Sequence, residues 1–277
     1  MLTAGIDIGS LSGEAVIFES NDEDKKDKGR ILGYSIVRVG ADNVETANRA
    51  MKLALEKTGL NFDNIEYVVS TGYGRVIVEF SNKSITEISC HARGAHWVFP
   101  SARTILDMGG QDCKVITCDD TGKVTSFVMN DKCAAGAGRA MEVVAKIVGV
   151  PLESIGELSL QAIDQPAEVT STCVLFARSE IMELLRNGSD KNSILAGNCD
   201  ALTSRVLTLL SRAQVEKDLV FSGGIAKNIG ITKRVENRLK LKLKIFEEPQ
   251  IIGAIGAAIF ARDTLLKTKG KREDSNV

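Results

Sequence analysis

The 277-residue sequence lacks features that mark several classes of protein. Its net charge is only −1, so there is no basic field to attract nucleic acid or anionic lipid. No apolar run approaches the roughly 18 residues that suggest a membrane-spanning helix. These absences predict a protein that binds neither nucleic acid nor a membrane.

The sequence predicts neither a signal peptide nor a disulfide framework. The opening MLTAGIDIGS has no basic segment and soon reaches a glycine and an aspartate, which is typical of a first strand. We therefore expect a cytoplasmic protein in a reducing compartment. None of the six cysteines forms a CxxC pair, and each taken alone is expected to be a small buried thiol.

Neither of two common nucleotide motifs, GxxxxGK[ST] or GxGxxG after a strand, is present. Three other glycine turns are present, namely DIGS at 7–10, DMGGQD at 107–112 and FSGGIAKN at 221–228. In the first two, a carboxylate stands beside turn amides that can cradle phosphate oxygens, and the carboxylate can hold Mg²⁺ through its waters. One such turn is a common structural feature. Three in this order favour a site for a nucleoside triphosphate.

The first turn has a counterpart later in the chain. When Asp7 is aligned with Asp107, an apolar strand, a glycine turn and a second apolar strand recur. This indicates two related halves, although two unrelated hairpins would give the same pattern. The remaining sequence alternates helices with short strands, including a predicted strand at 241–246 and a small-residue helix at 253–266, so the fold class is α/β.

Several motifs together resemble a known family. The three glycine turns resemble the phosphate and adenosine motifs of the actin, Hsp70 and sugar kinase superfamily. More narrowly, the chain resembles, over residues 3–262, the ATP-dependent activators of 2-hydroxyacyl-CoA dehydratases, whose family includes the ATP-binding subunits of benzoyl-CoA reductase. The motifs that carry this resemblance are STGYGR, SCHARGA, DMGGQD, NDKCAAGAGR, STCVLFARSE, SGGIAKN and GAIGAA.

The resemblance implies two related lobes of the actin-like ATPase fold, with the nucleotide cleft between them. The first lobe is expected at 1–100, with the C-terminal helix packing back onto it. The second, which carries the cluster cysteines, is expected at 101–264, and residues 265–277 are expected to form a disordered tail.

The resemblance also implies roles for individual residues in binding ATP or ADP with Mg²⁺. Asp7 and Asp107 would be the carboxylates on the Mg²⁺ side, and either Gln111 or Asp112 would position the attacking water. The expected nucleotide contacts are Gly9, Ser10, Gly109 and Gly110 at the phosphates, Glu142 at the ribose, Gly223 and Gly224 under the adenosine, and also Leu11, Ser12, Gly13 and Gln250.

One position departs from the family pattern. Related activators often have a lysine where this chain has Glu14. A lysine there can contact phosphate, whereas a glutamate would repel it unless a cation intervenes. The usual nucleotide contact at this position, and fast hydrolysis, are therefore in question.

Cys133 and Cys173 stand before predicted helices, where the helix dipole and free amides favour a thiolate. A [4Fe–4S] cluster commonly has four cysteine ligands, and a symmetric homodimer would supply two from each chain. The resemblance implies this bridging cluster, one per dimer. We expect Cys113, Cys118 and Cys199 to be buried thiols, and Cys90 and His91 to serve helix packing.

The implied function is an ATPase that donates single electrons. Ferredoxin or flavodoxin would reduce the cluster, and ATP hydrolysis would drive the electron onto a dehydratase that then performs radical dehydration. The alternatives are an ATP-hydrolysing subunit of a benzoyl-CoA reductase-type complex, a small-molecule kinase with structural cysteines, and a non-catalytic regulatory member.

Overall fold

The computed structural model of the protein describes residues 1–21, 28–130, 138–169 and 174–274. Their contacts divide the chain into two units. Unit 1 comprises Met1–Ala102, Cys118–Val124 and Gln250–Val277; unit 2 comprises Arg103–Thr117 and Thr125–Pro249. The expected lobe limits at residues 100 and 264 remain a prediction.

Unit 1 is built on a five-stranded sheet in the order β3-β2-β1-β4-β5. β1 is antiparallel to β2 and parallel to β4, so the chain makes a hairpin and then crosses over through a helix. The strands are β1 Leu2–Ile8, β2 Ser12–Glu19, β3 Arg30–Arg38, β4 Tyr67–Thr71 and β5 Lys83–Ser84.

The helices of unit 1 are α1 Asn43–Glu56, α2 Glu87–Val98 and α8 Ile252–Asp274. Asp42 caps α1 because its side chain accepts hydrogen bonds from the first-turn amides, and the apolar side of the helix packs on β2 and β3. α2 and α8 pack closely because glycines face each other's backbones. A Cβ on Gly94 would overlap the Ile252 carbonyl, and one on Gly256 would overlap the Cys90 carbonyl. The small residues of α8 thus allow the two helices to approach closely.

Unit 2 repeats the strand order with a four-stranded sheet, β8-β7-β6-β9. β6 is antiparallel to β7 and parallel to β9, as β1 is to β2 and β4. The strands are β6 Thr104–Met108, β7 Cys113–Cys118, β8 Val124–Met129 and β9 Leu219–Ser222; the helices are α3 Gly138–Val148, α4 Ile155–Leu160, α5 Val174–Arg186, α6 Lys191–Leu210 and α7 Ile229–Leu239. The shared topology confirms two related halves.

Two predicted elements differ from the structure. The strand predicted at 241–246 is wrong: Lys244 makes a single parallel bridge with Val220, while the neighbouring apolar side chains Leu241, Leu243 and Ile245 pack against the unit 2 core. The C-terminal tail also differs, because α8 continues through 265–274. This segment contains mainly good helix formers and no proline, and its one glycine, Gly270, disfavours the helix without ending it.

Candidate nucleotide site

The first candidate phosphate turn joins β1 to β2. The Gly9 amide donates to the Ser12 carbonyl at 2.9 Å, which closes a tight turn. Asp7, near the end of β1, pairs in register with Glu14 on β2. The sheet thus places a buried carboxylate at the base of a turn whose amides can meet a phosphate, as the sequence predicts.

The Asp7 carboxylate is confined by three neighbours. Its Oδ2 lies 3.7 Å from Nε2 of His91, which is buried on α2. A Cβ on Gly72, where φ is +84°, would overlap Asp7 Oδ1, and a Cβ on Gly253 would overlap Oδ2. Larger residues at either glycine would displace the carboxylate. The prediction that His91 serves only helix packing is therefore too narrow.

Glu14 is buried and bound by neighbouring side chains. Gln250 Nε2 donates to Glu14 Oε1 at 2.9 Å and to Ser12 Oγ at 2.8 Å, and the Ser12 hydroxyl also hydrogen-bonds Glu14. Burial, and then the neighbouring Asp7, raise the pKa of Glu14 to about 8. The neutral carboxyl therefore predominates below that pH, which removes most of the repulsion expected between this glutamate and a phosphate.

The second candidate phosphate turn joins β6 to β7 in unit 2. The Gly109 amide donates to the Asp112 carbonyl at 3.0 Å, as Gly9 does to Ser12. Asp107 is buried at the end of β6 and accepts a 3.1 Å hydrogen bond from the Ser222 hydroxyl. Gln111, at the tip of the turn, is exposed. The two predicted aspartates thus occupy equivalent places in the two sheets.

Lys114 is a charged residue of this site that the sequence reading missed. Its Nζ lies 2.9 Å from Asp112 Oδ1 and 3.7 Å from Asp107 Oδ2, and all three side chains are buried. The ammonium therefore compensates two carboxylates in a region of low dielectric. Asp112 is committed to this ion pair, whereas its neighbour Gln111 faces outward.

Gly223 packs against the strand that carries Asp107. Its φ is +85°, and a Cβ there would overlap the Met108 carbonyl and lie 2.9 Å from Asp107 Oδ1. Gly224 begins a short 3₁₀ turn, Gly224–Lys227. The structure thus shows why a side chain is excluded at Gly223, and the contact of both glycines with adenosine remains a prediction.

The start of α3 is bonded directly to the second phosphate turn. The Gly138 amide donates to the Gly109 carbonyl at 3.0 Å, and the Arg139 amide donates to the Gly110 carbonyl at 2.8 Å. One turn further on, Glu142 forms an ion pair with Arg139, with 2.7 Å between Oε2 and Nη1. Glu142 lies on the predicted helix, and its contact with ribose remains a prediction.

The cysteines fall into two groups. Cys133 and Cys173, the predicted cluster ligands, lie outside the described residues. Cys90, Cys113, Cys118 and Cys199 are buried thiols, which confirms the prediction for the last three. Burial raises the pKa of the Cys90, Cys113 and Cys199 thiols, so these three do not suit a cluster that binds thiolates.

The ability of the described residues to bind nucleotide-bound Mg²⁺ depends on Asp7 and Asp107. Within the ranges that the structure describes, no three His, Cys, Asp or Glu side chains group as a metal site. Nucleotide-bound Mg²⁺ needs fewer protein ligands, because phosphates and waters complete its shell of oxygens. Asp7 and Asp107, each beside a phosphate turn, are suitable donors for that role.

Comparison with known proteins decides which family these features belong to. Residues 4–261 match the model of the BadF/BadG/BcrA/BcrD ATPase family. The chain belongs to this family. The match covers most of the chain, and it includes both candidate phosphate turns and the greater part of both units.

Named members of the BadF/BadG/BcrA/BcrD ATPase family are similar over nearly their whole length. The activator of lactoyl-CoA dehydratase from Anaerotignum propionicum is 43% identical, covering 96% of this chain and 100% of that protein. One of the benzoyl-CoA reductase subunits of Thauera aromatica is 31% identical, covering 94% of this chain and 92% of that protein.

The solved structure of a dehydratase activator confirms the fold. The activator of 2-hydroxyisocaproyl-CoA dehydratase from Clostridium difficile, with bound ADPNP, superposes with a TM-score of 0.89 at 37% identity, covering 98% of each chain. The actin-like ATPase fold predicted from the sequence is therefore confirmed.

Sequence reasoning did not connect four residues with the aspartates of the two candidate phosphate turns, namely Lys114, His91, Gly72 and Gly253. Lys114 follows Asp107 at the same spacing as Glu14 follows Asp7, so a full alignment of the two halves would have found it. Gly72, His91 and Gly253 lie in the motifs STGYGR, SCHARGA and GAIGAA, but the sequence gave no sign that they lie beside Asp7, because only the packing of α2, α8 and the loop after β4 brings them there. Among the described residues, no helix is long and apolar enough to cross a membrane.

Proposed function

We propose that this member of the BadF/BadG/BcrA/BcrD ATPase family is an ATP-dependent one-electron donor that activates a 2-hydroxyacyl-CoA dehydratase. The observation that carries the proposal is its 43% identity, over the full length of the relative, to an activator of lactoyl-CoA dehydratase. The two aspartate-bearing turns and their buried charges support ATP binding and hydrolysis.

The phosphates would be held by backbone amides and Mg²⁺. In unit 1 the contacts come from Gly9 to Gly13, and in unit 2 from Gly109 and Gly110. Mg²⁺ would be held, directly or through waters, by Asp7 and Asp107, and it would offset phosphate charge. Gly223 and Gly224, Glu142 and Gln250 would contact the nucleoside part.

Gln111 is the better candidate for positioning the attacking water. Asp112 is buried, and its carboxylate is 2.9 Å from the Lys114 ammonium, an ion pair that is costly to break. Gln111 is exposed at the tip of the turn, where its carboxamide can both donate to and accept from a water. We therefore assign the positioning of the attacking water to Gln111. Asp112 instead forms the ion pair with Lys114.

Coupling to the redox partner would run through α3. Its first two amides donate to the carbonyls of Gly109 and Gly110, so a shift of this turn on nucleotide binding would move the start of the helix. α3 follows the segment that contains Cys133. ATP can drive electron transfer only if the two nucleotide states differ in their interaction with the cluster or with the partner.

We propose that Cys133 and Cys173 from each chain of a homodimer hold one [4Fe–4S] cluster. The cluster would store and pass on one electron. Its electron would come from a ferredoxin or flavodoxin, and the dehydratase would accept it. The cytoplasmic location predicted from the sequence suits such a reductant.

A subunit of a benzoyl-CoA reductase-type complex is the second candidate, favoured by the 31% identity to one such subunit. Anaerobic purification of the tagged protein from its native cells distinguishes the free activator from the complex subunit. A free homodimer that activates an added dehydratase only when ATP and reductant are present supports the activator. Stable co-purification with three other kinds of subunit supports the complex instead.

A further inference from the structure

Glu14 departs from the charge pattern that the fold repeats. In unit 2, the residue paired with the site aspartate across the hairpin is Lys114, whose ammonium compensates Asp107 and Asp112. In unit 1, the equivalent residue is Glu14, paired with Asp7. An acid at this position cannot perform the lysine's task, so its burial needs another explanation.

The hydrogen bonds of Glu14 supply that explanation. Gln250 Nε2 donates at 2.9 Å to Glu14 Oε1 and at 2.8 Å to Ser12 Oγ, and the Ser12 hydroxyl also bonds Glu14. The three side chains form a closed triangle. It joins the β1–β2 turn to the segment that leads into α8, two regions about 240 residues apart in sequence that meet only through folding.

Two corners of the triangle are proposed nucleotide contacts, namely Ser12 and Gln250. We propose that Glu14 is a positioning residue of the nucleotide site, whose carboxyl orients the Gln250 carboxamide and the Ser12 hydroxyl together. The side-chain N–H groups of Gln250 donate to Glu14 and to Ser12, so the plane of the carboxamide is fixed before any ligand binds.

This role explains why the acid is tolerated. A carboxyl oxygen accepts the Gln250 N–H, whereas a lysine ammonium has no acceptor and would break the triangle. A buried lysine that compensates carboxylates at this hairpin position is thus found in unit 2 and not at the equivalent position of unit 1.

The test is the affinity for Mg-ADP, measured by calorimetry on the anaerobically purified full chain. Glu14→Gln keeps an acceptor for Gln250 and should bind within about twofold of the parent. Glu14→Met, of similar volume but without an acceptor, should bind about three- to tenfold more weakly, the usual effect of losing one or two hydrogen bonds. The Gln250→Ala variant should lose a similar factor.

A double variant decides between positioning and mere packing. If Glu14 acts through Gln250, Glu14→Met with Gln250→Ala binds no more weakly than the worse single variant, because the second change removes nothing further. Multiplicative losses, or Glu14→Met binding as the parent does, would overturn the proposal. Should Glu14→Met not fold, Ser12→Ala tests the same triangle, and unchanged affinity in that variant would count against it.

The inference rests on the proposed nucleotide site, and the two can fail separately. If the parent chain does not bind Mg-ADP at all, the proposed function fails. If the parent binds and the variants bind equally well, only the role of Glu14 fails. Thermal unfolding without nucleotide identifies any loss of affinity that comes from loss of fold.

Discussion

Glu14 and Lys114 occupy equivalent positions in the two halves of the chain and have opposite chemistry. Glu14 pairs with Asp7 across β1 and β2, and Lys114 pairs with Asp107 across β6 and β7. One site aspartate therefore faces a second acid, and the other faces an ammonium. The two halves share a topology but differ in electrostatics beside the candidate phosphate turn of each.

The first prediction concerns Lys114. Lys114→Met should lower the free energy of unfolding by about 3–5 kcal/mol, because Asp107 and Asp112 stay buried without their cation. Adding Asp112→Asn should recover part of that loss. Urea unfolding measures both. A loss below about 1 kcal/mol in the single variant would show that the ion pair is not what holds these carboxylates.

The second prediction concerns pH. The pKa of Glu14 is raised from 4.5 to about 8, so the folded state keeps the proton that the unfolded state releases. Its contribution to stability is fully present below about pH 4.5 and is lost as pH rises through about 8. Glu14→Gln removes this titration, so the parent should lose stability relative to the variant between about pH 5 and 9. Parallel pH dependences of the two unfolding free energies would contradict the burial of an acid here.

The third prediction concerns the site aspartate of unit 2. Asp107→Asn keeps a side-chain oxygen that can accept from Ser222 but removes the negative charge that would hold Mg²⁺. ATP hydrolysis should fall at least tenfold at a fixed Mg²⁺ concentration, while the iron content stays at the parent level. Hydrolysis equal to that of the parent would show that Asp107 does not hold the metal.

The fourth prediction compares the two histidines of the chain, both on α2. His91 Nε2 lies 3.7 Å from the Asp7 carboxylate, whereas His96 packs beside Gly122. His91→Leu should lower kcat for ATP hydrolysis about tenfold or more, the usual effect of removing a group that orients a metal ligand. His91→Asn should recover part of the loss, and His96→Leu should leave kcat near the parent value. Equal effects of the two leucine variants would point to helix packing alone.

Much of the nucleotide site could be predicted because it depends on local sequence. Asp7, Asp107 and the glycine turns lie on hairpins, so strand, turn and carboxylate appear within one short stretch. The end of α3 is local in the same way: Gly149, with φ of +74°, directly follows Val148, and a glycine in this conformation commonly ends a helix.

Features that depend on contacts distant in sequence could not be predicted. His91 and Gly253 reach Asp7 only because α2 and α8 pack together, and Gln250 meets Glu14 across most of the chain length. The prediction of a strand at 241–246 was wrong because the alternation of apolar and charged residues there reflects apolar side chains that pack against a core. It does not reflect continuous hydrogen bonding to a neighbouring strand. The pKa of Glu14 also follows from burial, which a lone sequence position does not reveal.

The most direct test of the proposed electron donor is iron and acid-labile sulfide counted per chain, on anaerobically purified protein of measured oligomeric mass. We expect a dimer with four irons and four sulfides, which is two of each per chain, and near-complete loss of iron in Cys133→Ser and in Cys173→Ser. A Cys199→Ser control should keep the parent content, because that thiol is buried in unit 2. Iron-free protein, four irons on each single chain, or full iron in either ligand variant would contradict a cluster shared by two copies.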